Sequence, residues 1–287
     1  MQSDPLVSII MPAYNAERFL AEAVQSVIDQ SWKNWELIIV NDGSSDGTRT
    51  YLDTLEDPRI RVIHQDNAGV SAARNVAIDV AKGEFMTLLD ADDVLPTSSL
   101  EVRAKYLTEH SNVDLVDGAL SFRDEKLSFE KRLHMPGYRG QLLPRLIRLD
   151  DTVFAGTCYF FRRDLLGETR FKNGMTHLED LLFFIHLSFH QDVHYGFVDD
   201  LVYLYRTGHQ SAMSDISGLE EGYCDLLYEV SMLQCVSRID LILLRLKIAK
   251  IIFLCWLNAN NLKNGLSGAS KCLFNAMSKK PTNWGLR

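Results

Sequence analysis

A chain of 287 residues, 46 % hydrophobic and 24 % charged, can bury a substantial core and has the composition of neither a disordered nor a fibrous protein. The net charge of −8 is unevenly spread: from Arg238 to the end there are nine Lys/Arg against one acid, Asp240, whereas the first 237 residues hold 21 basic and 37 acidic side chains. An acidic body excludes nucleic acid as a partner, and the basic end points to something anionic there, a lipid surface above all.

Met1–Pro5 is polar and leads straight into an apolar run, with no basic segment followed by an apolar one, so no secretory signal is expected. The cysteines (Cys158, Cys224, Cys235, Cys255 and Cys272) lack paired metal-ligand spacing and read as reduced thiols of a cytoplasmic protein, one whose basic end suits the inner face of the cell membrane. Leu6–Met11, ending at Pro12, reads as a buried strand, and Asn15 as the cap of a helix in which Phe19, Leu20, Ala23, Val24, Val27 and Ile28 recur. Trp35–Val40 is a second strand, closed by the turn Asn41–Gly47, in which Ser45 or Asp46 caps a helix at Thr48–Leu55. A strand at Ile60–His64, a helix at Val70–Ala81, a strand at Phe85–Leu89 and a helix at Ser98–His110 follow. Strands alternating with single helices predict an α/β fold with a doubly wound, mostly parallel sheet, which binds ligands at the carboxyl ends of its strands. Beyond residue 110 the pattern loosens. Val113–Phe122, Phe154–Arg162, Val193–Val198 and Leu201–Arg206 read as strands, Leu181–His190 as a helix, and Glu125–Gly140 as an irregular, mobile loop. Ile239–Leu257 is apolar but carries Asp240, Arg245, Lys247 and Lys250, too many charges for a spanning helix. It reads as a helix packed on the body or on a second copy, or as one lying on a membrane surface.

Chemistry concentrates at the strand ends. Leu88-Leu89-Asp90-Ala91-Asp92-Asp93 closes an apolar strand with three carboxylates that would repel one another unless a cation offsets them; hard divalent ions such as Mg²⁺ or Mn²⁺ prefer such ligands, completed by substrate phosphates. Taken alone, the triplet is also what a solvated acidic turn looks like. Asp42, at the end of the second strand, is placed to accept hydrogen bonds from a base or a ribose. Asn67, Gly69, Arg74 and Asn75 precede or open a helix, and the planar fork of Arg74 suits a diphosphate, although a lone helical arginine is more often a surface charge. Glu179-Asp180, just before an apolar helix, is either a helix-dipole pair or a source of a general base. His177 and His186 read as structural.

The ordered set Pro12-Ala13-Tyr14-Asn15, Val40 to Thr48, Asn67-Ala68-Gly69 with Ala73-Arg74-Asn75, and Asp90-Ala91-Asp92-Asp93 resembles glycosyltransferase family 2, the inverting GT-A enzymes that build bacterial surface polysaccharides and glycolipids. The resemblance is specific over roughly residues 5–110, thinner to about 210, and fades beyond. It implies a GT-A domain over residues 1–212, with a nucleotide-sugar half (1–110) and an acceptor half (111–212), followed by a helical, basic extension (213–287). It implies that Pro12, Ala13 and Tyr14 line the base, that Asp42 accepts from it, and that Asn67 and Arg74 lie near base and phosphates. Asp90, with Ala91 beside it, should face the ribose or a Mn²⁺ or Mg²⁺ ion that Asp92 holds directly. Glu179-Asp180 looks like the family's Glu-Asp pair, with Asp180 the base and Glu179 orienting the acceptor. In the segment Tyr205–Ser211, His209 is a further metal ligand or leaving-group contact, or an ordinary loop histidine.

The resemblance therefore implies a hexosyl- or N-acetylhexosaminyltransferase that moves a sugar from a nucleotide-sugar donor, a UDP-sugar above others, to a hydroxyl of a glycan or lipid-linked acceptor by single displacement. A membrane contact or a homodimer through the C-terminal helices remains open. A nucleotidyltransferase would want a glycine-rich basic loop after the first strand, and Pro12-Ala13-Tyr14-Asn15 is not one. A catalytically silent sugar-nucleotide-binding scaffold would have no need of both acidic pairs.

Overall fold

The computed structural model describes residues 4–154, 156–209 and 215–274. Gln210 and Ser211, the expected boundary at residue 212, and Lys279, Lys280 and Arg287 of the basic end lie outside the described residues. The elements follow in chain order: β1 (Val7–Ala13), α1 (Leu20–Ile28), β2 (Trp35–Asp42), α2 (Thr48–Leu52), β3 (Ile60–Gln65), α3 (Val70–Val80), β4 (Phe85–Leu88), α4 (Ser99–Glu109) and β5 (Leu115–Arg123). Then come β6 (Glu130–His134), β7 (Gly140–Gln141), α5 (Leu143–Ile147), β8 (Phe160–Arg162), a 3₁₀ turn (Arg163–Leu166), α6 (Glu179–His190), β9 (His194–Arg206), α7 (Ile216–Met232), α8 (Arg238–Asn258) and α9 (Leu262–Phe274).

One mixed sheet runs β3-β2-β1-β4-β8-β5-β9-β7, with β6 pairing β5. β3, β2, β1 and β4 are mutually parallel; the near-continuous apolar runs of β1, β2 and β4 are buried, as strands covered on both faces require, while β3 at the sheet edge is only half-buried. The second half is antiparallel at β4–β8, β5–β8, β5–β6 and β7–β9, with β5 and β9 parallel. The expected α/β sheet is thus present, and helices α7, α8 and α9 form a helical C-terminal region.

Four expectations are corrected. Asn15 does not cap α1; it sits at φ 49° in the left-handed region, and the helix begins at Leu20. The segment read as an irregular loop, 125–140, contains β6, held in register on Leu120–Arg123 of β5. Among the described residues of the expected strand Phe154–Arg162, only the last three are strand. The two strands expected in 193–206 are one, whose pairing to β5 slips between Asp117 and Ala119, so the chain crosses Val198–Asp200 without breaking.

α6 is apolar almost all round and sits in the core: Leu181, Leu182, Phe183, Phe184, Ile185 and Leu187 are all buried. Phe184 packs edge-on to Tyr159 and Phe161, and Phe183 stacks on Phe171 with centroids 4.1 Å apart. α7 approaches the chain just before α6 through two glycines; a Cβ on Gly218 or Gly222 would fall 2.4 Å from Cε1 or 2.8 Å from Cβ of His177. Among the described residues no helix is long and apolar enough to cross a membrane. All five cysteines are thiols, although folding brings the sulfurs of Cys224 and Cys272 to 3.8 Å.

Candidate active site

The parallel register fixes which loops meet. Ala13 pairs with Asn41, Asp42 with Gln65, and Ile10 with Leu88, so the segments after β1, β2, β3 and β4 leave the sheet along one edge. The first two are stapled together: the Asn15 amide donates to Ser44 Oγ at 2.9 Å, the Ser45 amide to Asn15 Oδ1 at 2.8 Å, and the Ala16 amide to Thr48 Oγ1 at 2.8 Å. Asp46 Oδ1 accepts from the Thr48 amide at the start of α2, but the N-cap position is Gly47, not Ser45 or Asp46 as expected.

Asp42 is buried and its carboxylate is already occupied. Gln65 Nε2 and the Ala68 amide donate to Oδ1 at 2.7 and 2.8 Å, and the Gly69 amide donates to Oδ2 at 2.8 Å. Its local work is therefore to shape the turn that leads into α3. Gly43 allows this: at φ 71° it passes so near that turn that a Cβ would lie 2.7 Å from the Asn67 nitrogen. Asn67 and Tyr14 stand exposed on this surface, Pro12 is half-buried, and Ala13 is buried, so Ala13 offers only backbone to a ligand.

The aspartates after β4 divide into three environments. Asp93 is buried; Tyr203 donates to its Oδ2 at 2.9 Å and the Arg206 amide to its Oδ1 at 2.7 Å, while burial, with Asp92 and Asp90 nearby, pushes its carboxyl well above the usual range. Asp92 Oδ2 lies 2.8 Å from His209 Nε2. Burial and Asp90 raise the Asp92 carboxyl, and the His209 hydrogen bond opposes that rise. Asp90 Oδ1 accepts from Arg74 Nη2 at 2.9 Å, and Ala91 is buried between the two acids.

Arg74 is not the surface charge that a lone helical arginine more often is. It is 2 % exposed, and its second terminal nitrogen, Nη1, donates to Glu179 Oε1 at 2.8 Å. Burial works against the guanidinium charge, but Asp90, Glu179 and Asp180 together outweigh it. Its terminal nitrogens thus bond carboxylates, and Arg74 bridges the two acidic motifs. Asn75 reinforces the link: its Nδ2 donates to the Phe171 carbonyl at 2.9 Å and its Oδ1 accepts from the Phe171 amide at 2.8 Å.

Glu179 and Asp180 open α6. Leu178, just before them, holds φ 61°, a left-handed conformation that costs a leucine about 1–3 kcal/mol and that packing must impose. Asp180 accepts from the Leu181 amide at 2.7 Å, and burial together with Glu179 pushes its carboxyl up to about 7 against the opposing pull of Arg74. A carboxylate near neutrality is well matched to general-base work.

Tyr203 escaped the sequence reading as a functional residue, and Arg206 entered it only as part of the Tyr205–Ser211 segment, with no role of its own. Arg206 is buried over the Phe19 ring at 4.5 Å; its Nε donates to the Asp92 carbonyl at 2.6 Å, its Nη2 to Glu22 at 2.6 Å, and its Nη1 to the Glu125 carbonyl. The available signal was a Tyr-x-Tyr-Arg end on the apolar run of β9.

Among the described residues no three His, Cys, Asp or Glu side chains form a metal-holding group by themselves. The donor set fits a divalent ion that takes its remaining ligands from phosphate: two carboxylates two residues apart on one turn, one of them raised by burial and by the neighbouring Asp90, and His209, whose buried Nδ1 has no partner among the described residues.

The model of glycosyl transferase family 2 matches residues 8–170, more than half of the chain. The putative teichuronic acid biosynthesis glycosyltransferase TuaG of Bacillus subtilis (strain 168) is 38 % identical over 135 residues, 46 % of this chain and 54 % of that protein. The UDP-Glc:alpha-D-GlcNAc-diphosphoundecaprenol beta-1,3-glucosyltransferase WfgD of Escherichia coli is 39 % identical over 109 residues, 38 % of this chain and 43 % of that one. The matched stretches thus span about half or less of these relatives. Among solved structures, S. aureus TarS 1–349 in complex with UDP-GlcNAc superimposes with a TM-score of 0.68 at 20 % identity, covering 94 % of this chain and 79 % of that one, a likeness of fold.

Proposed function

Because this chain belongs to glycosyltransferase family 2, we propose that it transfers one sugar from a nucleoside diphosphate sugar, a UDP-sugar, to a hydroxyl of a glycan or lipid-linked acceptor in cell-surface polysaccharide synthesis, with inversion at the anomeric carbon. The observation that carries the reading is the Arg74 bridge, which ties the Asp90–Asp93 turn to the Glu179-Asp180 pair through an arginine 105 positions before Glu179 and makes one site of two acidic motifs. The UDP-Glc donor and diphosphoundecaprenol-linked acceptor of WfgD, and the UDP-GlcNAc complex of TarS, support a uridine nucleotide as donor and a lipid-linked glycan as acceptor.

In this proposal Tyr14 and Asn67, exposed on the strand-end surface, contact the base, with the Asp42-organised turn beneath them. Asp92 and Asp90, with His209 beside them, would hold a Mn²⁺ or Mg²⁺ ion, which when bound supplies neutralising charge to the leaving diphosphate. Asp180 takes the proton from the acceptor hydroxyl as the oxygen attacks the anomeric carbon from the face opposite the diphosphate. Glu179, fixed by Arg74, orients the acceptor. Arg74 acts on the donor end through Asp90.

The test is to incubate the chain with a panel of nucleotide sugars, with Mn²⁺, Mg²⁺ or EDTA, and to measure release of nucleoside diphosphate and donor binding by calorimetry. Metal-dependent release from one donor, lost in Asp92→Ala, supports the reading and names the sugar. Failure of every nucleotide sugar to bind with any metal sinks it.

A further inference from the structure

Helix α8 is apolar on two opposite faces. One face is conventional: Leu244, Ile248 and Ile252, spaced four apart, are buried against the rest of the chain. Among the described residues nothing covers the other. Ile239, Ile242, Leu246, Leu254 and Leu257 recur at helical spacing and are 41–70 % exposed, a stripe running the length of the 21-residue helix. α9 packs back along α8, with Gly265 drawn against Phe253 and Trp256, and adds Leu262 and Leu266, both more than half exposed. A contiguous exposed apolar surface of this kind marks a docking site rather than a stable solvent face.

Charge identifies the occupant. Over residues 238–274 there are six basic side chains and one acid. That acid, Asp240, is taken by Arg148 at 2.9 Å and by the Ser237 hydroxyl. Of the six bases, Lys271 pairs with Glu220, Lys247 donates to the Leu149 carbonyl, and Arg245 donates to the Leu273 carbonyl. Arg238, Lys250 and Lys263 are exposed, and among the described residues no carboxylate is bonded to them. Lys250 falls within the apolar stripe itself, one turn from Leu246 and one from Leu254. On a two-fold pairing with a second copy it would meet its own like charge. At a lipid surface its four-carbon stem lies among the leucines and its ammonium reaches the headgroups.

We infer that the exposed face of the α8–α9 hairpin lies on an anionic membrane surface, its leucine and isoleucine stripe entering the headgroup–acyl boundary and Arg238, Lys250 and Lys263 meeting the lipid phosphates. The charge of the rest of the chain orients it: the first 237 residues carry a large excess of acids, which an anionic surface repels, so the hairpin turns toward lipid. This inference goes beyond the transfer reaction and does not depend on it.

The test is cosedimentation of the full chain with large vesicles of phosphatidylcholine alone or with about one-third phosphatidylglycerol, at low and at high salt. Partition onto the anionic vesicles is expected to exceed that onto neutral ones by about tenfold or more and to weaken as salt rises. Leu246→Ser with Ile242→Ser should abolish it, with circular dichroism and melting checking the fold. Lys250→Glu, a single exposed change, should cut it severalfold and keeps the test open if the double variant misfolds. Equal binding to both vesicles, binding to neither, or binding unaffected by the variants overturns the inference. So does sedimentation velocity showing a dimer that Leu246→Ser with Ile242→Ser converts to monomer, since the stripe would then belong to a second copy.

Discussion

Arg74 on α3 donates to Glu179 on α6 at 2.8 Å, both side chains nearly sealed from solvent, and through its other terminal nitrogen it holds Asp90. Replacing Arg74 leaves Asp90, Glu179 and Asp180 facing one another without their shared cation. Removing one partner from such a buried group costs about 3–5 kcal/mol. Arg74→Met is therefore expected to destabilise the protein by that order in urea unfolding and to abolish sugar transfer. Arg74→Lys keeps the charge but loses the fork that reaches both acids, so it should recover part of the stability and little activity. A wild-type rate in Arg74→Lys would show that the bridge is not needed for catalysis.

Asp180 sets the acid side of the pH profile. Its carboxyl, pushed up to about 7 by burial and by Glu179, must be deprotonated to act as a base. The rate constant kcat/KM should therefore rise with pH up to about 7 and level off above it, and Asp180→Asn should lower it by about 10²–10⁴-fold. The stability effect has the opposite sign. An unfolded aspartate loses its proton near pH 3.9, so between about pH 4 and 7 the unfolded chain releases a proton that the folded chain keeps, and stability falls as pH rises through that window. Asp180→Asn should thus melt higher than wild type at pH 8 and show no such gain at pH 4. A variant less stable than wild type at pH 8 would mean that the buried carboxylate is a net structural asset.

The first half of the fold was legible because its strands and helices alternate with clear periods, and β1 to α4 appear within a few residues of their expected limits. β6, β7 and α5 were not. Glu130–His134 is exposed or half-buried and polar, so no alternation of side chains announces it; its strand character comes from pairing with β5, which no local pattern records. In the site, the carboxylates could be named from sequence and their partners could not. That Asp42 serves its own neighbouring turn, that Arg74 faces inward, and that Asp93 answers to Arg206 at a distance of 113 residues all depend on which loops the sheet register brings together.

His209 lies against Asp92 with its Nδ1 buried and unpartnered among the described residues, and it packs edge-on to Phe19 with centroids 5.1 Å apart. If Asp92 and His209 act as one metal-holding unit, His209→Ala should weaken Mn²⁺ affinity in the presence of UDP by about ten- to a hundredfold. Asp92→Ala should weaken it further, and calorimetry reads both. An unchanged affinity in His209→Ala would leave His209 as no more than a hydrogen-bond partner of Asp92.

Asp93 should prove structural although it adjoins the proposed metal ligands. Its two oxygens are taken by the Tyr203 hydroxyl and the Arg206 amide, and Tyr203 also accepts from the Asp90 amide at 3.3 Å. Tyr203→Phe keeps the ring in place but deprives a buried carboxyl and a backbone amide of their partner, which costs about 1–3 kcal/mol. Asp93→Asn retains an acceptor and relieves the repulsion from Asp92 and Asp90 that helps raise this carboxyl. Tyr203→Phe is therefore expected to lower the urea midpoint while retaining measurable donor binding, and Asp93→Asn to be nearly neutral in stability at pH 7. If Asp93→Asn instead eliminated Mn²⁺ affinity at unchanged stability, Asp93 would belong with Asp90 and Asp92 among the ligands, and the division of the acidic turn into a buried anchor and two partly exposed carboxylates would be wrong.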